Sequence, residues 1–96
     1  MMTRELIQQK RAAIYEIARL YGASDLRIIG SVARSDATES SDLDLVVRFE
    51  PTRTLLDHAG LIGALSDFLG MRVDVVDQDG MRARFRTNVE REAVLL

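Results

Sequence analysis

Three aspartates in this chain have the type and spacing to do chemistry. Asp42 and Asp44 stand one residue apart in "SSDLDLVV", where an apolar run begins, and Asp74 lies inside "RVDVV". Residues i and i+2 of a β-strand project from one face, so Asp42 and Asp44 are expected to point together. Two unit charges ~6 Å apart repel by roughly 3 kcal/mol at an effective dielectric near 20. A divalent cation relieves such crowding, and an all-oxygen donor set suits Mg²⁺ or Mn²⁺. The plainer alternative is a pair of aspartates at a solvated loop end, since Asp is a common turn former. Asp74 shifts the balance, because a lone charge inside an apolar strand is expensive unless it is paired or metal-bound. Val73 and Val75 alternate with Arg72, Asp74 and Val76. If the two strands are neighbours, Asp74 joins the pair as a third ligand; a salt bridge to Arg72 is its structural alternative. Asp77, beside Gln78 and Asp79, reads more simply as turn chemistry.

Gly30-Ser31 supplies a second half to such a site. Glycine after a strand lets backbone N–H groups approach a phosphate, and a following helical turn favours an anion. The Ser31 hydroxyl adds a donor, and Arg34 could balance phosphate charge or stand in solvent. A bare Gly-Ser is a weak signal, and its value comes from standing 12 residues before Asp42. Phosphates on one side and a carboxylate-held pair of metal ions on the other is a layout for phosphoryl chemistry, in which two ions ~3.5–4 Å apart stabilise attacking and leaving oxygens.

The elements that must hold these residues can be read from periodicity. Leu6, Lys10, Ala13, Ile14, Ile17, Leu20 and Tyr21 trace a helical stripe from Thr3 to Tyr21, interrupted at Lys10, with Thr3 as N-cap and Gly22 as stop. "DLRIIG" predicts a first strand, residues 31 to about 36 a helical turn, and "LDLVVRF" a second strand ended by Pro51. Leu55, Ala59, Ile62, Leu65 and Leu69 predict a second helix, stopped by Gly70. "MRVDVVD" predicts a third strand, and residues 80–96 another helix. The order implies an α/β (α+β) fold, a small mixed sheet with helices packed on one face.

Composition narrows the classes. At 96 residues the expectation is a single domain over 1–96. Hydrophobic residues make up 47% and charged residues 29%, a globular balance. With no Cys and one His, disulfide and zinc chemistry are disfavoured. No apolar run approaches the ~18 residues that span a bilayer, so a cytoplasmic location without membrane contact is expected. A net charge of −2 argues against direct nucleic-acid binding, which needs a basic face.

"GSVARSDATESSDLDLVV" resembles the signature of the DNA polymerase β-like nucleotidyltransferase superfamily, and more closely its smallest branch, the minimal nucleotidyltransferases. That branch carries Gly-Ser-x-Ala-Arg-Gly, then Ser-Asp-x-Asp-Leu-x-Val. Gly30, Ser31, Ala33, Arg34, Ser41, Asp42, Asp44, Leu45 and Val47 stand at the matching positions, while Ser35 replaces the usual glycine. Where that position requires positive φ, Ser35 is strained. "LLDHAGLIGALSDFLGMRVDVVD" looks like the family's helix and third-carboxylate strand, and "REAVLL" is similar to its usual close. The resemblance implies a polymerase β-like nucleotidyltransferase fold and transfer of AMP from ATP. By it, Asp42 and Asp44 bind two Mg²⁺ ions (Mn²⁺ being an alternative), and Asp74 binds the catalytic one and assists deprotonation of the acceptor. Gly30, Ser31, Arg34 and Ser41 hold the nucleotide triphosphate. It further implies a HEPN-domain toxin as partner in a toxin–antitoxin module, a tyrosine of which would be adenylylated. Two other readings stay open: an antitoxin that acts by binding alone, and nucleotidyl transfer to a small molecule or an RNA end.

Other residues have simpler readings. His58 is expected to pack partly buried beside the helix stripe. Gly60, Gly63 and Ala64 form a small-residue strip that either admits another helix or is merely tolerated. Arg82, Arg84, Arg86 and Arg91, with Phe85 among them, read first as a solvated helix face and second as a nucleotide-phosphate or partner contact.

Overall fold

A computed structural model describes residues 3–96, with the side chains of residues 83 and 84 outside that description. Two helices, α1 (Arg4–Gln9) and α2 (Arg11–Leu20), lead into β1 (Ala23–Ile29). The single turn α3 (Gly30–Arg34) follows, then β2 (Leu43–Phe49), α4 (Leu55–Leu69) and β3 (Val73–Asp77). A 3-10 turn over Gln78–Gly80, α5 (Ala83–Glu92) and the two-residue β4 (Val94–Leu95) complete the order.

The sheet runs β3-β2-β1-β4. β2 is parallel to β3, while β1 is antiparallel to both β2 and β4. A parallel pair needs a long crossover, and α4 supplies it. The expected mixed sheet is thus present. The apolar side chains of β2 (Leu43, Leu45, Val47) join Leu26 and Ile28 of β1 and Val73 and Val75 of β3. Ile14 and Ala18 of α2 and Leu61, Leu65 and Leu69 of α4 close over them. Each fully buried aliphatic side chain contributes about 1.5–3 kcal/mol relative to exposure, so this layer fixes which way β2 and β3 face.

The expected stripes hold in their later turns, where Ile14, Leu65 and Leu69 are buried, and fail at their starts. In α1 it is Ile7 that is buried, and Leu6 is 39% exposed. The helix axis breaks at Lys10, which caps the end of α1 and the start of α2, so one continuous phase cannot describe both. Leu55 at the head of α4 is 83% exposed; the buried set steps by four from Leu61. Thr3 caps α1 as expected, its hydroxyl accepting from the Leu6 N–H at 3.2 Å. The small-residue strip resolves into one tight contact inside the chain, since a Cβ on Gly60 would stand 2.5 Å from the Tyr21 ring. His58 is half-buried against the Phe49 ring, and its Nε2–H donates to the Val75 carbonyl at 2.6 Å. The tail holds a strand that the expected single helix did not include: Val94 and Leu95 pair with Ile28 and Arg27.

Candidate active site

β2 and β3 are paired so that Asp44 lies beside Asp74, with Leu43 beside Val73 and Leu45 beside Val75. Neighbours in a parallel ladder project from the same face. The leucines and valines point into the helix layer, so Asp44 and Asp74 share the opposite face. Asp42, two residues before Asp44, belongs to that face too. Asp77 has the alternate phase and closes a turn, accepting from the Asp79 N–H at 3.0 Å.

β1 ends against this pair. Ile29 is the cross-strand partner of Asp44, and Gly30 follows with φ +74. A Cβ on Gly30 would sit 2.6 Å from Asp44 Oδ2. The left-handed backbone favours glycine there, and any side chain would have to displace the Asp44 carboxylate oxygen. At the other end of α3, Ser35 has φ 64 and ψ 28. The position does demand positive φ, and a serine occupies it.

A cavity of about 310 Å³ opens on the carboxylate face, walled by Gly30, Arg34, Asp44 and Asp74 and, from α5, by Phe85, Asn88, Val89 and Glu92. Arg34 reaches Asp36 at 3.3 Å and Glu92 at 3.6 Å, linking α3 to α5. Asp42 is drawn aside by Arg72 at 3.6 Å, so the partner foreseen for Asp74 belongs to Asp42 instead. Asp74 Oδ1 accepts from the Val75 N–H at 3.0 Å. Ser41 does not line the cavity; its hydroxyl accepts from the Thr38 N–H at 2.8 Å and closes the loop before Asp42. Ser31 stands beside Gly30 in the first turn of α3 and is half-buried.

Burial holds the Asp44 carboxyl above the ordinary aspartate range, and the charges of Asp74 and then Asp42 push it the same way, while Arg34 opposes them. Three oxygen-donor groups crowded on one face, one with raised proton affinity, suit a divalent cation in chemical type. Among the described residues no group of three or more His, Cys, Asp or Glu is already drawn to ion-binding spacing. Asp42 would have to leave Arg72 to complete such a set.

Residues 10–96 match the family model described as a nucleotidyltransferase domain. The chain belongs to the nucleotidyltransferase domain family. This nucleotidyltransferase is 34% identical over 79 residues to the protein adenylyltransferase MntA of Thermococcus cleftensis, covering 82% of this chain and 80% of that one. It is similar to a solved minimal nucleotidyltransferase at 48% identity and TM-score 0.88, covering 99% of this chain and 97% of the other. A toxin–antitoxin crystal structure with AMP-PNP shares the fold at 20% identity and TM-score 0.76, over 88% of this chain and 69% of that one. The enzyme is therefore a nucleotidyltransferase of the minimal type. Among the described residues no helix is long and apolar enough to cross a membrane.

The basic tail divides by direction. Arg86 is half-buried, its guanidinium donating to the Gln78 carbonyl at 3.1 Å, and is no solvated residue; Arg82 and Arg91 are exposed. The Arg84 side chain lies outside the described residues. Asn88 and Glu92 were missed from sequence alone. Their signal is the i, i+3, i+4, i+7 spacing of Phe85, Asn88, Val89 and Glu92, which places all four on one side of a helix.

Proposed function

We propose that this nucleotidyltransferase transfers AMP from ATP to a tyrosine hydroxyl of a partner protein, a HEPN-domain ribonuclease toxin, and so acts as its antitoxin in the cytoplasm. The observation that carries this reading is the pairing of Asp44 with Asp74 across the β2–β3 ladder, directly against the side-chain-free Gly30. Similarity to a protein adenylyltransferase supports a protein acceptor, and the shared fold of a toxin–antitoxin structure supports the partner.

In this reading Gly30 and Ser31 receive the triphosphate, and Arg34 turns from Asp36 and Glu92 to the phosphates. Ser41 acts through the loop it closes, fixing the approach to Asp42. Asp42, Asp44 and Asp74 would hold Mg²⁺, or Mn²⁺, which when bound neutralises phosphate charge during transfer. The tyrosine oxygen attacks the α-phosphorus, the bond to the bridging oxygen of the β-phosphate breaks, and pyrophosphate leaves. The hydroxyl proton passes to Asp74, whose Oδ2 has no hydrogen-bond partner among the described residues.

Incubation with α-labelled ATP, Mg²⁺ and a HEPN-domain protein should place label on a tyrosine. Removing a general base lowers rate by roughly 10²–10⁴-fold, so Asp74→Asn should fall in that range. Label that never transfers, or an Asp74→Asn variant as fast as wild type, overturns the reading. Continued toxin protection by such variants would point instead to neutralisation by binding alone.

A further inference from the structure

The polar end of the cavity accounts for phosphates and acceptor, but not for the wall that α5 builds. Phe85 is 45% exposed although Val76 and Val89 line the same cavity and could have covered it. It also borders the adjoining groove that holds His58, Met81 and Arg82, so its ring stands between two openings. Asn88 is exposed, and its side-chain amide makes no hydrogen bond to any described residue. Asn is a poor helix former relative to Ala because its side chain competes for the backbone. Position 88 lies inside α5 and caps nothing. An exposed aromatic ring beside an amide with no partner among the described residues, one helical turn apart, is what a nucleobase needs.

We infer that this side of α5 is the base-recognition wall of the enzyme, with Phe85 as the stacking platform and Asn88 as the reader of adenine. The inference rests on the triphosphate site proposed above and names what selects its base. An asparagine amide offers one donor and one acceptor, which match adenine N7 and the N6 amino group. Guanine presents two acceptors, N7 and O6, on that edge and would leave the Asn88 oxygen facing O6. Stacking on Phe85 alone would accept any base, so selectivity falls to Asn88.

The test is calorimetric titration of the full chain with non-hydrolysable ATP and GTP analogues and with inorganic tripolyphosphate, all with Mg²⁺. Wild type should bind the ATP analogue more tightly than the GTP analogue and than tripolyphosphate. Loss of one base-stacking platform weakens binding by on the order of tenfold or more. Phe85→Leu, which keeps apolar bulk, should lose that much for the ATP analogue and nothing for tripolyphosphate. Asn88→Ala should bring the ATP-to-GTP ratio toward one. Wild-type affinity for the ATP analogue in both variants, or a wild type blind to the difference between that analogue and tripolyphosphate, overturns the base wall and leaves the phosphate site standing. Failure of both the ATP analogue and tripolyphosphate to bind overturns the two proposals together.

Discussion

Asp44 sits where function and stability pull apart. Its folded carboxyl titrates above the ordinary range, because burial and then Asp74 and Asp42 disfavour its charge. A raised folded value means that the native state binds this proton more tightly than the unfolded chain. The stability this confers is complete below the unfolded value of roughly 3.9 and is lost as pH rises through the folded one. Asp44→Asn should therefore melt higher than wild type at pH 7 in chelator, with the gain shrinking away below pH ~4, while transfer is lost; a variant melting lower at pH 7 would contradict the account. Ser35 makes a smaller trade. A non-glycine residue in the left-handed region costs about 1–2 kcal/mol, partly offset by the chain entropy of glycine, so Ser35→Gly should gain roughly 0.5–1 kcal/mol in urea unfolding. Both residues were legible beforehand. The two-residue period groups Asp42 with Asp44, Asp74 joins them once β3 lies beside β2, and the family pattern marks position 35. The Asp42–Arg72 pair was not legible, because it depends on where the loop before β2 leaves each side chain.

The N-terminus of α4 shows how a helix can be well begun while its apolar face is hard to read. Thr54 and Asp57 cap each other's backbone: the Leu56 N–H donates to Thr54 Oγ1 at 3.2 Å, and the Thr54 N–H to Asp57 Oδ2 at 3.0 Å. That backbone bond is the main cause lowering the Asp57 carboxyl, with Arg53 assisting against desolvation. A depressed folded value stabilises above the unfolded one and is lost as pH falls through it. Thr54→Ala should cost about 1 kcal/mol at neutral pH. Asp57→Ala should also destabilise at pH 7, with the deficit narrowing in acid, as followed by urea midpoints from pH 7 to pH 3. α4 is apolar on more than one side, so Leu55 and Leu61 compete for the core in any reading of spacing. Only packing on β3 decides for Leu61. β2 was legible to the residue because a run buried on one face and bounded by loops has one register. β4 was not, because two residues have no period and pair with a strand more than 65 positions away.

Across the molecule the apolar core and the carboxylates occupy opposite faces of one sheet. Emptying the site should therefore leave the fold in place, and chelator should not change the far-ultraviolet circular dichroism. Filling it should stabilise by mass action: ligand at ten times its dissociation constant adds about 1.4 kcal/mol. Wild type should melt higher as Mg²⁺ is raised, and the Asp44→Asn/Asp74→Asn double variant should not respond. Equal Mg²⁺ shifts in both proteins would place the ion elsewhere. The parallel pairing of β2 with β3 follows from the α4 crossover between them, whereas the α5 wall has the right helical spacing but sits in a polar, Arg-rich segment where that spacing does not say which side faces the cavity. The empty volume at position 30 makes residues 30 and 44 behave as one unit. A methyl group added at the first would evict the oxygen of the second, so no library that varies them singly should recover an active enzyme with any other residue at position 30.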